Sequence, residues 1–306
     1  MKQSGRLFFV LAALLSLGTA RGQPERRWVA GAGRDGDEEK VPLDLFEIKS
    51  GYVFESDVNH GGSFGQQSAI QTELEYGHRF LIKDTWYVRA GLSYDRFDFG
   101  NSPSPLPEHL QRAAAVIGIE YMKGEDIGAI LQFRPGFYFE DDINSDSFDC
   151  PITLARFFVW QPDKLFFLVG AHASFLRGNY PVIPLVGIVW VPNEKVRLLG
   201  ILPEPRLIYS PKDQLEFWVG AELAGGAFRV NQRTGLVGND RKLSGAQVDY
   251  DEYRAGVGVT YSPVDQIEVE LGAGCAIQRA FNFNRAEEHY RAEPAPYVRV
   301  EIKGEF

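Results

Sequence analysis

The sequence predicts an all-β protein: an antiparallel, up-and-down barrel of about fourteen strands, or twelve if a hairpin is divided wrongly, with the apolar side of its wall turned outward. Three observations predict it. The carboxyl-terminal stretch PYVRVEIKGEF places Val298, Val300, Ile302, Gly304 and Phe306 on one face of an extended strand and Arg299, Glu301, Lys303 and Glu305 on the other. The same period-two alternation recurs in segment after segment from Leu43 onward. Beyond residue 20, no run of ~18 uncharged apolar residues occurs, so the chain crosses a bilayer as a closed sheet or not at all.

The amino terminus argues for the bilayer over a soluble sandwich. Lys2 and Arg6 precede an apolar run from Leu7 to Leu17, then Gly18, Thr19 and Ala20, the order of charge, core and small residues in a secretory signal. Residues 1–20 are read as that signal, cleaved after Ala20 with Gly22 as the alternative site. A membrane anchor needs ~20 apolar residues, more than this run offers. Residues 21–42, charged and glycine-rich, are expected to be a flexible periplasmic lead-in, and 43–306 the barrel. Loss of Lys2 and Arg6 takes the formal charge from -9 to -11, which excludes a nucleic-acid partner, since phosphate binding needs a basic surface.

The strands follow in order. Leu43 to Val58 sets Phe46, Ile48, Tyr52 and Phe54 against Glu47, Lys49 and Glu55. Gln66 to Leu81 sets Ile70, Leu74, Tyr76 and Phe80 against Gln71, Glu73, Glu75 and Arg79. In the third, Trp86, Val88, Ala90, Leu92 and Tyr94 oppose Arg89, Ser93 and Asp95. Ile127 to Phe133, Leu215 to Leu223 and Tyr253 to Tyr261 continue the pattern, and the penultimate strand sets Ile267, Val269 and Leu271 against Glu268 and Glu270.

Six tight turns separate them: KDT at Lys83, KGED at Lys123, QPDK at Gln161, PNEK at Pro192, SPKD at Ser210 and SPVD at Ser262. With short turns on the periplasmic side and both termini there, seven outer loops make fourteen strands. The count closes only if VRLLGILPEPRLIYS holds two short strands bent at Pro203 to Pro205. Pro135 and Pro184 fall inside proposed strands, where each removes a ladder donor. Aromatics near strand ends read as girdles at the two lipid–water boundaries: Phe80, Trp86, Trp160, Phe166, Trp190, Tyr209 and Tyr261 at one rim, Phe97, Phe99, Phe137 and Phe139 at the other.

From Leu43 to Phe306 the chain resembles outer-membrane β-barrel proteins of porin-like families, most specifically in its last strand. The resemblance implies an outer-membrane location, and a terminal assembly signal read by the barrel-assembly machinery in Tyr297, Val298, Val300, Ile302, Gly304 and Phe306. It implies lipid and lipopolysaccharide as surroundings.

The inward charges are the best candidates for function: Glu47, Glu73, Glu75, Arg89, Asp95, Glu120, Arg134, Glu216, Glu222, Arg254, Glu268, Glu270, Arg299, Glu301 and Lys303. Either they line an aqueous pore and bias which small solutes or ions pass, or they pair across strands and fill the lumen. Fourteen strands fall between barrels that side chains fill and barrels that hold a channel, so the alternation leaves both open.

The acidic loop with Glu140, Asp141, Asp142, Asp146 and Asp149 matches no calcium-loop spacing and reads as a solvated surface. His60 and Ser63 in NHGGS are sequence neighbours rather than a nucleophile and base assembled from separate strands, and there is no GxSxG elbow. His78, His109, His172 and His289 lack metal-ligand spacing, so neither catalysis, cofactor nor metal is expected. Cys150, at a loop edge, and Cys275, on an outward strand face, are expected to stay unbridged. The function expected is a passive porin-like channel or small-solute transporter. The alternatives are a closed surface-interaction barrel and, further off, a lipid-modifying enzyme.

Overall fold

The computed structural model describes residues 41–123, 126–178, 180–233 and 238–306. The proposed signal and nearly all of the periplasmic lead-in lie outside these residues. Among the described residues, strands form a single antiparallel sheet that closes on itself. In chain order they are β1 (Asp44–Asn59), β2 (Ser63–Lys83), β3 (Trp86–Phe99), β4 (His109–Lys123), β5 (Asp126–Phe133), β6 (Gly136–Phe139), β7 (Phe148–Asp149), β8 (Ile152–Gln161) and β9 (Leu165–Ala173). They continue with β10 (Val182–Asn193), β11 (Val196–Gly200), β12 (Arg206–Lys212), β13 (Leu215–Arg229), β14 (Gln247–Val264), β15 (Ile267–Phe283), β16 (Glu288–Ala292) and β17 (Ala295–Glu305).

The seventeen segments make fourteen wall strands, β5 with β6, β7 with β8 and β16 with β17 each being one interrupted strand, and the wall closes where β1 pairs with β17 from Leu45↔Glu305 to Val53↔Tyr297. Five of the six short turns stand where the turn residues place them, the sixth, KGED, falling partly outside the described residues between β4 and β5, and the Pro203–Pro205 bend separates β11 from β12 as fourteen strands require. Period-two alternation sorts the wall. On β17, Arg299, Glu301 and Lys303 are buried in the interior while Val298, Val300 and Ile302 are exposed outside. An apolar exterior around a charged interior, with every wall strand paired into a ring, is a membrane-spanning barrel of the outer-membrane type.

The two awkward prolines find distinct solutions. Pro135 interrupts one wall strand, dividing it into β5 and β6; its carbonyl still accepts from Ala115 N at 2.9 Å, and neighbouring Arg134 N donates to Pro151 O at 2.9 Å. Pro184 lies within β10 opposite Ala171 of β9. Ser174 N donates to Pro181 O and Val191 N to Lys164 O, so odd residues of β10 bond toward β9 and even residues toward β11. The last pair with β11 is Ile188↔Gly200. Pro184 therefore faces a stretch of edge with no strand beside it, where a missing donor costs nothing.

The wall is uneven. β2, β14 and β15 run 21, 18 and 17 residues, whereas β9, β11 and β12 run 9, 5 and 7. At the outer end β6 joins β13 directly, through a parallel bridge between Phe139 and Arg229 and a bond from Glu140 N to Arg229 O of 3.0 Å, skipping β7–β12. The rim is thereby pinched into a tall ring and a short lobe.

The tall ring is filled. Phe97, Phe99, Tyr138, Phe228, Tyr250, Phe281 and Phe283 are buried together, with Tyr250 5.1 Å from Phe97, 5.0 Å from Phe99 and 4.9 Å from Phe281 between ring centres. This corrects the outer girdle: Phe97 and Phe99 point inward, because they share strand parity with inward residues such as Arg89 and Asp95 on β3, and Phe139, on the opposite parity to the inward Tyr138 of β6, is buried where β6 meets β13. Phe166 is likewise buried, against Val189, Val191 and Trp218, while Phe80, Trp86, Trp160, Trp190, Tyr209 and Tyr261 are exposed as a girdle requires.

In the short lobe the interior face is largely apolar, interrupted by the buried Thr153–His172 hydrogen bond of 2.9 Å. Ala155, Leu168, Ile183 and Leu185 pack with Leu223 of β13 and Tyr253 of β14. Leu223 has the parity of the exposed Phe217 and Val219, so upper β13 leans its outer face onto the inner face of the short wall.

Candidate functional site

The candidate site is the lumen. Alternation on β1–β6 and β12–β17 sends one side chain in two inward, and fourteen of the fifteen charges expected there are buried. Glu268, the exception, is half-buried at the periplasmic end, opposite Lys303. Charges so enclosed are tolerable only if paired, and two networks pair them.

The first joins β2 to β6. Glu75 accepts from Arg89 at 2.7 Å and from Arg134 at 2.9 Å; Arg79 donates Nε–H to Glu120 at 2.6 Å; Arg112 meets Asp95. Glu73 and Glu47 lie on the same interior face.

The second centres on Arg299. Its guanidinium bonds Glu222 at 2.9 Å and also Glu270, while Arg206 reaches Glu270 at 2.7 Å. Lys49 bonds Glu222, Arg254 donates to Glu252 at 2.8 Å, and Lys303 pairs with Glu301 at 3.0 Å. Trp218 lies against two of these cations, 4.6 Å from Arg206 and 4.9 Å from Arg299, so the indole supports them through its electron-rich face. Nearer the periplasmic turns, Nη2 of Arg197 donates to both oxygens of Glu216, at 2.7 and 2.8 Å.

The sequence expectation misses seven of the residues in these networks. Arg79 and Lys49 stand on the polar faces of their strands but outside the candidate set; Arg112, Arg197, Arg206 and Glu252 are legible by parity once the register is known. Glu204 is legible by no pattern. It belongs to the bend between β11 and β12, yet it lies inside, bonded to Lys49 at 3.0 Å, Arg206 at 2.5 Å and Arg299 at 3.3 Å. Ile201 and Leu202 of the same bend pack into the apolar lobe, and Ala221 N and Leu223 N donate to Pro205 O and Pro203 O, both at 3.0 Å.

Among the described residues, one cavity of ≈ 430 Å³ opens at the outer mouth, lined by Gln67, Asn101, Ser102, Asn231 and Arg233 among others. A smaller space of ≈ 20 Å³ lies beside Glu47, Glu75, Arg89 and Lys303. Side chains of the aromatic cluster and of the ion pairs are buried in the interior.

The remaining sequence candidates have structural partners. His60 stacks on Tyr290 and engages Glu288 at 2.8 Å and His289 O at 2.9 Å. In the acidic loop, Glu140 is a buried clasp: it takes Asn231 N at 2.9 Å and pairs with Arg233, which donates to Pro105 O at 2.8 Å. Asp149, also buried, accepts from Ser174 Oγ at 2.6 Å and Phe175 N at 3.1 Å. For these two residues the solvated reading is corrected, since each orders backbone from another loop; Asp146 remains exposed. Cys150 and Cys275 are both free thiols.

No family model matches the sequence, and no curated protein does. Among solved structures the chain is similar to an outer membrane channel from Pseudomonas putida F1, at 11% identity and a TM-score of 0.47, over 90% of this chain and 100% of that one. It is also similar to the toluene transporter TodX of Pseudomonas putida (10% identity, TM-score 0.38, 86% and 89% covered) and to a Pseudomonas aeruginosa FadL homologue (10% identity, TM-score 0.37, 86% and 90% covered). Identities and scores of this size leave the chemistry of the lumen to be read from this chain's own side chains.

Proposed function

We propose that this barrel is a passive channel for small solutes that is closed at rest. The observation that carries this reading is the position of Glu204. A fourteen-strand wall is wider than the eight-strand walls that side chains alone can fill. Here a bend outside the regular ladder completes the filling, with Glu204 pairing with three cations that belong to three wall strands, Lys49, Arg206 and Arg299. The Glu204 side chain can swing aside without opening the wall, because neither the β1–β17 closure nor the bonds from Ala221 N and Leu223 N to the bend depend on it. The charged side of the lumen would then guide water and ions, and the apolar lobe would admit solutes with a greasy body.

Planar-bilayer recording tests it. Wild-type protein is expected to give rare, brief openings, and Glu204→Ala longer and more frequent ones. If wild type, Glu204→Ala and Tyr250→Ala all stay silent at high protein load while migrating as folded barrels, the channel reading fails. The packed aromatic cluster would then favour a closed barrel whose outer loops meet lipopolysaccharide or partners.

A further inference from the structure

The outer loop between β9 and β10 inverts the usual rule for an exposed connection. Its sequence, SFLRGNYPV over 174–182, carries one charge, Arg177, and that residue is only 6% exposed. Its large apolar side chains point out instead: Phe175 is 74% exposed, Val182 62% and Tyr180 50%. Leu176, between Phe175 and Arg177, is buried. In water such a loop would bury the phenylalanine and expose the arginine.

Strand length supplies an independent reason. The 9 residues of β9 start at the periplasmic turn itself. At ~3.3 Å per residue and a tilt of ~45° they climb roughly 21 Å, less than the ~25 Å apolar band that a barrel of this type presents to lipid. The outward surface of the flanking strands is apolar up to that point, through Leu154, Val169 and Val186, and Phe175, Tyr180 and Val182 of the loop continue it.

We propose that residues 174–178 and 180–182 form a lipid-inserted tongue, with Phe175, Tyr180 and Val182 embedded among the acyl chains of the outer leaflet and Arg177 turned back into the protein. Asp149 holds the base of the tongue through Ser174 Oγ and Phe175 N, and Arg177 lies 3.9 Å from Asp251 on the outer face of β14. Asp251 and Asp249 are held in place by Asn282 at 3.0 Å and Asn284 at 2.6 Å. The bilayer would thus complete the short side of the wall, which the strands leave too low. This inference rests on the barrel spanning a membrane and not on whether it conducts.

Site-directed spin labelling tests it. Phe175→Cys, in a background with Cys150→Ser and Cys275→Ser, would carry a nitroxide in barrels refolded into phosphatidylcholine vesicles. Collision with oxygen, which concentrates in lipid, is compared with collision with a water-soluble nickel chelate. Val186→Cys is the lipid-facing reference, and Asn101→Cys, on an exposed outer loop, is the aqueous one. The expected oxygen-to-nickel ratio at 175 lies close to that at 186 and several-fold above that at 101. A ratio matching position 101 overturns the proposal. If the label at 175 prevents folding, Val182→Cys gives the same reading with the same two references.

Discussion

The two sides of this barrel solve opposite problems with one backbone pattern. On the tall side, β1–β4 and β13–β15 rise past the membrane, and their inner faces carry charges low down and aromatics higher up. On the short side, the inner faces of β8–β10 carry Phe166, Leu168, Ile183, Leu185 and Val189, and β11 and β12 add Leu199 and Ile208 beside the cations Arg197 and Arg206. A charged inner face needs counter-charges at fixed geometry, and most of it is built on long, continuously paired strands, with Arg197 of β11 and Arg206 of β12 joining from the short side. An apolar inner face needs only bulk, so it accepts whatever leans on it: the outer side of upper β13 and the bend between β11 and β12. The difference shows that "inside" and "outside" on a barrel strand are set by what neighbours it at that height, not by parity alone. Leu223 and Tyr253 have lipid-side parity and protein surroundings.

The largest test of this contrast removes Arg299. Its loss leaves Glu222, Glu270 and Glu204 short of a shared cation in the interior, and removing one member of a buried pair costs about 3–5 kcal/mol. Arg299→Leu is expected to lie at the upper end, because three carboxylates are affected and the contact with Trp218 is lost as well. Urea unfolding of the vesicle-embedded barrel, followed by tryptophan fluorescence, measures it. The contrast breaks if Arg299→Leu proves no more costly than a large-to-small change in the apolar lobe.

A smaller effect is expected from the aromatic cluster. Tyr250→Ala empties the position between Phe97, Phe99 and Phe281, and truncating a core aromatic costs about 3–5 kcal/mol. The value should fall near the lower bound, because three mobile rings border the space and can close in. The same unfolding titration reads the stability, and single-channel recording reads whether the outer end has loosened. A variant that opens the channel without loss of stability would show that the cluster is a stopper rather than a support.

What the sequence made legible follows from which interactions are local. Alternation, turn chemistry and the Pro203–Pro205 bend are properties of a few consecutive residues, and they place the strands, the six periplasmic turns and the inward charges. Phe97 and Phe99 were assignable too, since their parity matches Arg89 and Asp95, but aromatic type near a strand end points to a girdle, and here packing against Phe281 and Tyr250 wins. Three features have no local signature. The Phe139–Arg229 bridge joins residues far apart in the chain; Glu204 enters the lumen from a bend; and Arg206, although one strand residue in two must point inward, acquires its role only from Glu270 on a distant strand. Each depends on how the ring closes, which only the assembled register determines.

The smallest expected effect sharpens the account of the uneven rim. If even residues of upper β10 face no strand, then restoring a backbone donor at 184 gives it nothing to bond within the sheet. Pro184→Ala should change stability by no more than about 0.5 kcal/mol, the range of substitutions away from special features. A small loss is the expected sign, because proline restricts the unfolded chain more than alanine does. Were the ladder from β10 to β11 continuous at this height, the new N–H would instead add a hydrogen bond, with a net gain of about 1 kcal/mol. Amide hydrogen exchange at the new residue 184 separates the cases: rapid exchange, unlike the slow exchange expected at Ile183 and Leu185, places the gap in the wall where β11 stops at Gly200.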